Sequence, residues 1–303
     1  MGGIRAGEKP MGFVGFSQEY ATEEVCREKL FEKRWPGGFI CPKCGKTSYS
    51  LLKARWRYQC NHCKHQTSPT VGTVMHRTHL PIRTWFWAIY LIATDKRGVS
   101  AMALSKQLHV TYKTAWYVLH RIREAMGNRE ESYILQGIVE FDDVYFGGKK
   151  PGSKRGRGTK KMKALVALSK SEAGKPRYLK MKVVPDLKGK TIGAFATKCI
   201  AEKSTIESDA APNFRKPLKE KWLHKYELFD ADAEMLTWLH TVVSNLKALI
   251  QGTSHGLDEK HFQRYLNEVC YRFNRRFHEK SIFDHLVFAV AHSNPLGLDA
   301  LRR

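Results

Sequence analysis

Gln136-Gly137-Ile138-Val139-Glu140-Phe141-Asp142-Asp143-Val144-Tyr145-Phe146-Gly147-Gly148 is the stretch from which the rest of the chain is read. β-Branched and aromatic residues crowd it and a glycine pair closes it, the pattern of a buried strand interrupted by two adjacent carboxylates. Side chains alternate across a strand, so Asp142 and Asp143 face opposite ways and only one can serve a given face. A carboxylate in mid-strand is costly to bury unless a cation, a proton or hydrogen bonds compensate it. Two readings of this segment stand side by side: an edge strand with solvated acids, or a metal-binding aspartate at the centre of a sheet.

Downstream, residues 149–163 form a Gly/Lys/Arg run that reads as a loop, either simply solvated or able to clamp a phosphate backbone beside an acidic metal centre. Ala164 to Ser169 and Tyr178 to Val184 are strand-like, Thr191 to Glu202 reads as a helix, and Ser204 to Asp209 as a short strand ending in a carboxylate. Three consecutive strands, a helix and a fourth strand, with aspartates in the first and at the end of the fourth, give the order of an RNase-H-like core. In that order strands one and four lie side by side and bring Asp142 and Asp209 together, where they would hold two divalent cations. Residues 235–250 read as a helix without a carboxylate; its polar residues are His240, Ser244, Asn245 and Lys247, of which His240, Ser244 and Lys247 share a face. Asp230, Asp232 and Glu234 are rival ligands, or simply acids enriched at a helix N-terminus. Lys260 to Phe277 is an amphipathic helix whose basic face alternates with aromatics. Its arginines, Arg272, Arg275 and Arg276, are candidates for DNA contact, with solvation as the plainer reading.

Upstream, Cys41-Pro42-Lys43-Cys44 and Cys60-Asn61-His62-Cys63 are separated by 15 residues. That spacing predicts a tetrahedral four-thiolate zinc ribbon, one ion per chain, structural because no coordination position stays open for water. His62, His65, His76 and His79 are read as surface residues. Ser100 to Leu108 and Tyr112 to Met126 predict two helices capped by Ser100 and Thr111 across a tight break. This is either a helix-turn-helix, with Lys113, Thr114 and Tyr117 near the groove and His120, Arg121 and Arg123 nearer phosphates, or a plain helical hairpin.

The chain has 303 residues, with Lys+Arg 52 against Asp+Glu 29, a formal net charge of +23 and a pI near 9.8. So basic a chain points to a polyanion, nucleic acid before anionic membrane. No run reaches the roughly 18 apolar residues of a membrane span, and no signal peptide opens the chain. Seven cysteines, four of them in the two CxxC pairs, suit a reducing compartment. The expected location is cytoplasmic and nucleoid-associated.

The order of zinc ribbon, helix-turn-helix and Val139-Glu140-Phe141-Asp142-Asp143-Val144-Tyr145-Phe146-Gly147-Gly148 resembles the ISXO-type insertion-sequence transposases of bacteria. So do Ser208-Asp209, His240-Thr-Val-Val-Ser-Asn245-Leu-Lys247, Gly252-Thr-Ser-His255-Gly, and Tyr265-Leu-Asn-Glu268 followed by Tyr271-Arg-Phe-Asn274-Arg-Arg. The resemblance spans roughly residues 20–290. It implies a DD(E/N)-type enzyme that cleaves and joins DNA at terminal inverted repeats and target DNA, using Mg²⁺ or Mn²⁺ in a two-metal site and working as a homo-oligomer on paired ends. Asp142 matches the first catalytic aspartate, Asp143 standing where many relatives have Glu, and Asp209 matches the second. The third position is carried to Asn245 with Lys247, and alternatively to His240, seven residues before Lys247. The fold expected is α/β and multidomain: an N-terminal helical lead (1–35), the zinc ribbon (36–72), a helix-turn-helix region (80–128), an RNase-H-like core with a mixed sheet flanked by helices (134–255), and a C-terminal helical extension (256–303). DNA contacts are expected from Lys113, Thr114, Tyr117, Arg121, Arg272, Arg275 and Arg276. A catalytically inert DNA-binding regulator derived from a transposase is the competing reading, favoured by the missing third carboxylate. A structural zinc protein of RNA metabolism fits the charge but not the ordered aspartates.

Overall fold

The computed structural model describes residues 11–147, 161–227, 236–253 and 258–302. Residues 149–160 of the basic run, Asp230, Asp232, Glu234 and His255 lie outside them. The chain divides into two compact units, 1–128 with 277–303, and 129–276. None of the described helices is long and apolar enough to cross a membrane.

In the first unit, helices α1 (Phe13–Glu19) and α2 (Glu23–Arg34) precede a three-stranded antiparallel sheet, β1 (Tyr49–Leu52), β2 (Arg57–Cys60) and β3 (Gln66–Thr67), in the order β1-β2-β3. The Thr22 hydroxyl caps α2 by accepting from the Val25 N–H at 3.3 Å. An aromatic group of Phe31, Trp35, Phe39 and Tyr58 fills the space between α2 and this sheet, with Phe31 stacked on Tyr58 at 4.5 Å. Helix α3 (Ile82–Thr94) is apolar on most sides, as its Trp85, Phe86, Ile89 and Ile92 run predicts, and all four are buried. Helices α4 (Ala101–Leu108) and α5 (Tyr112–Glu131) follow, and both expected caps are in place. Ser100 Oγ accepts from Ala103 N–H at 3.1 Å and Thr111 Oγ1 from Thr114 N–H at 3.2 Å. His109, in left-handed backbone at φ 51°, turns the chain between them.

The second unit is built on a five-stranded mixed sheet. Strands β4 (Ile138–Phe146), β5 (Met162–Lys170) and β6 (Pro176–Val184) form an antiparallel meander. Helix α6 (Gly189–Cys199) then carries the chain across to β7 (Thr205–Asp209), which pairs with β4 in parallel. A short helix, α7 (Pro212–Leu218), leads to β8 (Leu223–Glu227), parallel to β7. The order β6-β5-β4-β7-β8 is that of the expected RNase-H-like core, with the first strand, β4, in the middle. Helices α8 (Thr237–Thr253) and α9 (Glu259–Asn274) complete the unit.

The alternation of β4 sorts the helices onto two faces. Val139 and Phe141 point with Leu165, Ala167 and Ile206 into a core closed by Ile192 and Phe195 of α6 and Phe214 of α7. Val144 and Phe146 point the other way, with Val166 and Leu168, into a core closed by Leu239, Val243 and Leu246 of α8 and Phe262 and Leu266 of α9. Residues 164–168 of β5 are all fully buried, which is why that strand reads as an unbroken apolar run.

The two edges of this sheet are treated differently. Along β6, side chains of α9 take the place of a missing strand. Asn274 accepts from Leu179 N–H at 2.7 Å and donates to Leu179 C=O at 3.0 Å. Gln263 accepts from Val183 N–H at 2.8 Å and donates to Met181 C=O at 3.2 Å, and the Met181 N–H reaches the Cys270 sulfur. Arg276, just past the helix, donates to the carbonyls of Pro176 and Arg177. Edge backbone left open is a template for unwanted pairing, and here it is filled. No such bond from the described residues reaches β8, where Leu223 and Tyr226 stand 61% and 37% exposed.

The last two helices, α10 (Ile282–His292) and α11 (Leu298–Arg302), cluster with the N-terminal unit, so the expected extension 256–303 is divided between the two units. Phe283 meets Phe16 edge-on at 5.3 Å, Lys33 pairs with Asp284 at 2.6 Å, and Arg34 donates to Ala291 C=O. The edge cap generates a stability prediction. Asn274→Leu keeps the volume but orphans both Leu179 groups, a loss of about 1–3 kcal/mol each at most, so urea unfolding of the second unit should shift down by about 2–3 kcal/mol. An unchanged midpoint would show that water satisfies this edge as well as Asn274 does.

Candidate metal centres

Four sulfurs converge first. The Sγ atoms of Cys41, Cys44, Cys60 and Cys63 all lie within 4.8 Å of one another, Cys41–Cys63 and Cys44–Cys60 each at 3.6 Å. Tetrahedral zinc with Zn–S bonds of about 2.3 Å requires sulfurs about 3.8 Å apart, so the set fits a zinc ion. Both CxxC segments fold as the same turn. Cys41 N–H donates to Lys46 C=O and Gly45 N–H to Cys41 C=O; Cys60 N–H donates to His65 C=O and Lys64 N–H to Cys60 C=O. Backbone N–H groups of Cys63 and His62 hold the Cys60 thiol down to about 6, whereas Cys44 is pushed up to about 12, the Lys46 N–H opposing and burial and the neighbouring sulfurs raising it. Among the described residues no histidine joins the cluster.

Both turns have left-handed backbone at the residue after their second cysteine. Gly45 has φ +72° where the other turn has Lys64 at φ +58°, and a Cβ added at Gly45 would meet nothing within 4 Å. A side chain in left-handed backbone costs about 1–2 kcal/mol, so Gly45→Ala should weaken zinc about tenfold while Lys64→Gly leaves it unchanged or tighter. Competition with a chromophoric chelator reads both affinities, and elemental analysis of the parent should give one zinc per chain. Equal weakening by both substitutions would contradict the conformational cause.

The second convergence is of carboxylates. Glu140 and Glu207 are register partners across the parallel pair β4·β7, so Asp142 and Asp209, each two residues further on, project from the same sheet face. That face is the one covered by α8, and His240 on α8 stands with its Nε2 3.6 Å from Asp142 Oδ2. The Asp142 carboxylate raises the His240 pKa, with burial opposing, Glu140 assisting and Lys247 opposing. Asp143 falls on the opposite, α6/α7 side of the strand, as alternation requires; its backbone N–H donates to Asp142 Oδ1 at 2.7 Å. The ligand atoms of Asp142, Asp209 and His240 do not all lie within 4.8 Å of one another. Two-metal sites place their ions about 3.5–4 Å apart, so ligands to different ions need not meet at one point.

Behind the aspartates sits a group that sequence reading missed. Glu140, 1% exposed, accepts from Lys170 Nζ at 3.2 Å and from the Leu239 N–H at 2.8 Å, and Lys170 also reaches Glu207 at 2.6 Å. Burial works against the Lys170 ammonium, but Glu207 and Glu140 carry its pKa above the ordinary value. One lysine thus ties together the two strands that carry Asp142 and Asp209, while Glu140 fixes the first turn of α8 beside His240. The available signal was Glu140 itself, an acid two residues before Asp142 and therefore on its face. Lys170→Met should leave two facing carboxylates with no cation between them and destabilise the second unit by about 3 kcal/mol in chemical unfolding. A loss under 1 kcal/mol would mean that the acids find other partners.

Several expected residues are placed elsewhere. Asn245 lies about 140° round α8 from His240, given 100° per residue, so it does not share the face that meets Asp142; Lys247, seven residues on, does. Of the two expected candidates for the third position, His240 is the one that stands against Asp142, and Asn245 lies on another side of the helix. On α5, Lys113 is exposed and Thr114, Tyr117 and Arg121 partly so, but His120 and Arg123 are 1% and 3% exposed and cannot line a phosphate backbone. The α9 arginines, expected at DNA, each have a partner within the fold. Arg275 is buried, paired with Glu130 and stacked at 3.6 Å on the Tyr271 ring. Arg272 pairs with Glu268 at 3.0 Å, and Arg276 serves the β6 carbonyls. Their alternation with aromatics is a packing pattern.

Comparison with known proteins places these two centres in matched domains. Residues 134–274 match the ISXO2-like transposase domain and residues 21–66 the transposase zinc-ribbon domain. An uncharacterized protein in transposable element ISH50 of Halobacterium salinarum is 28% identical over 129 residues, 42% of this chain and 42% of that protein; the chain thus spans under half of that relative's length. Among solved structures, the Mos1 strand transfer complex covers 70% of this chain and 78% of its own at 14% identity with a TM-score of 0.29. A pre-cleavage Mos1 transpososome gives 67%, 78%, 13% and 0.24. Scores of that size do not establish a shared fold.

Proposed function

We propose that this chain, a member of the ISXO2-like transposases by both of its matched domains, cuts and joins DNA strands at the ends of an insertion sequence. The observation that carries the reading is the placement of Asp142 and Asp209 on one face, one alternation past the Glu140↔Glu207 pair, with His240 against Asp142. The donor set is hard and anionic, which suits Mg²⁺ or Mn²⁺, and Asp142 and Asp209 would hold such ions. Divalent cations in that position supply Lewis-acid activation of the attacking and leaving oxygens of an in-line phosphoryl displacement. The chain's own part is orientation. Lys170 and Glu140 fix the strands behind the aspartates, His240 hydrogen-bonds or coordinates at the Asp142 edge, and Lys247 on the same face places a positive charge toward a phosphate. Terminal inverted repeats and target DNA are the proposed substrates, paired ends held by two or more copies the proposed assembly, and the nucleoid in the cytoplasm the proposed location. Zinc binding at the four cysteines keeps the ribbon folded, and Lys113, Thr114, Tyr117 and Arg121 of α5 are proposed to read the repeat.

The competing reading, an inert DNA-binding regulator, draws on one observation: no carboxylate stands on α8. A nicking assay on a terminal-repeat duplex with and without Mn²⁺ separates the two. Asp142→Asn and Asp209→Asn should each reduce nicking by more than about a hundredfold with repeat binding retained, and Asp143→Asn should be milder. His240→Ala should cost more activity than Asn245→Ala. The reverse order would return the third role to Asn245, and Asn245→Asp would then raise activity. Absence of metal-dependent nicking in the parent chain favours the regulator.

A further inference from the structure

From Lys33 to Thr94 the chain contains no Asp or Glu, yet it carries ten Lys and Arg residues. Three of these are committed within the fold. Lys33 pairs with Asp284, Arg34 donates to Ala291 C=O and Arg83 donates to Tyr20 C=O. The other seven are all exposed, and three of them, Lys53, Arg55 and Arg57, sit together at the turn between β1 and β2 and make no ion pair among the described residues. The turn is a single 3₁₀ turn, Lys53–Arg55, ended by Trp56 in left-handed backbone at φ 46°. A bulky side chain is disfavoured there, and a residue held so points to a constraint imposed by its surroundings. What holds it is visible: the Trp56 ring packs against the Arg27 guanidinium of α2 at 5.2 Å, so that Arg55 and Arg57 flank a fixed ring instead of a mobile loop.

Beside this turn is a cavity of about 180 Å³, lined by Arg27, Arg55, Trp56, Arg57, Ser68 and Thr70 among others. Glu23 also borders it, but its carboxylate is taken by Arg27 at 2.9 Å and by the backbone N–H groups of Ile82 and Arg83 at 2.9 and 2.8 Å. Guanidinium and hydroxyl donors with a neutralised acid exclude a cation and suit a phosphate oxygen. Arginine on both sides of a rigid ring suits a run of phosphates along one strand more than a single small anion.

We propose that the Lys53–Arg57 turn with the adjoining cavity is a seat for the phosphodiester backbone of duplex DNA, gripping it without regard to sequence. This rests on the reading of the chain as a DNA-acting protein and assigns the ribbon a task separate from the proposed sequence reading by α5. The ribbon tip supplies salt-dependent grip, and the zinc cluster at the opposite end of β2 keeps it rigid.

The test uses the zinc-loaded full chain and a fluorescent duplex of unrelated sequence, with affinity measured across a chloride series. The double variant Arg55→Gln/Arg57→Gln should make the plot of log affinity against log salt shallower by about two units, at about 0.9 per phosphate lost, with zinc content and melting midpoint unchanged. The charge-keeping pair Arg55→Lys/Arg57→Lys should restore most of the slope, and decides the matter if the Gln pair loses zinc. An unchanged slope in the Gln pair overturns the proposal. So does displacement of the duplex by inorganic phosphate beyond the effect of chloride at equal ionic strength, or tighter binding to phosphatidylserine vesicles than to the duplex. Failure of the parent chain to nick terminal repeats leaves this measurement intact, so loss of the enzymatic reading and loss of the backbone seat are told apart.

Discussion

The buried carboxylate of Glu140 is the constraint on which the second unit depends. It is nearly sealed from water, and its two oxygens are held by a lysine from β5 and by the first turn of α8. Removing a charge from water to that depth is tolerable only because these partners replace hydration, and they come from different elements. The Lys170 ammonium reaches on to Glu207, so β4, β5, β7 and α8 meet at one point. Two residues along the strands from that point stand Asp142 and Asp209. A polar cluster satisfied only when four elements are in register specifies their relative placement more sharply than apolar packing, which tolerates sliding.

Much of this unit was legible in the sequence, for a physical reason. A strand with a period of two and a buried side on both faces leaves a run such as Ile138 to Phe146, and any acid inside it stands out. β4, β5, β6 and β7 were each recognisable in that way, and α6 by its helical period. β8 was not: Leu223-His224-Lys225-Tyr226-Glu227 sits at an edge, has solvent on one side and alternates apolar with charged residues too briefly to be distinguished from a loop. β3 is two residues long and carries no period at all. The four-thiolate cluster was legible because nothing else in protein packing demands two CxxC pairs at that spacing.

The α9 arginines show what sequence pattern cannot supply. Arg272, Arg275 and Arg276 fall among Tyr271, Phe273 and Phe277 in the way a nucleic-acid surface would have them. Their partners are what decide, and these are distant in sequence: Glu130 for Arg275 and the Pro176 and Arg177 carbonyls for Arg276, with Glu268 one turn away for Arg272. The same holds for His240 and Asn245, which lie five residues apart on one helix. Only the side of α8 that meets the sheet separates them, and that side is set by Leu239, Val243 and Leu246 packing beneath it.

The unequal edges of the five-stranded sheet give the unit a direction. Along β6, the amide, sulfur and guanidinium groups of α9 and its C-terminal turn already meet the backbone groups that another strand would need. At β8 the described residues supply nothing of the kind. The sheet therefore behaves as a polar object with a finished end and an unfinished one. Among the described residues, the backbone groups of an edge strand of this sheet are left uncovered only along Leu223 to Glu227.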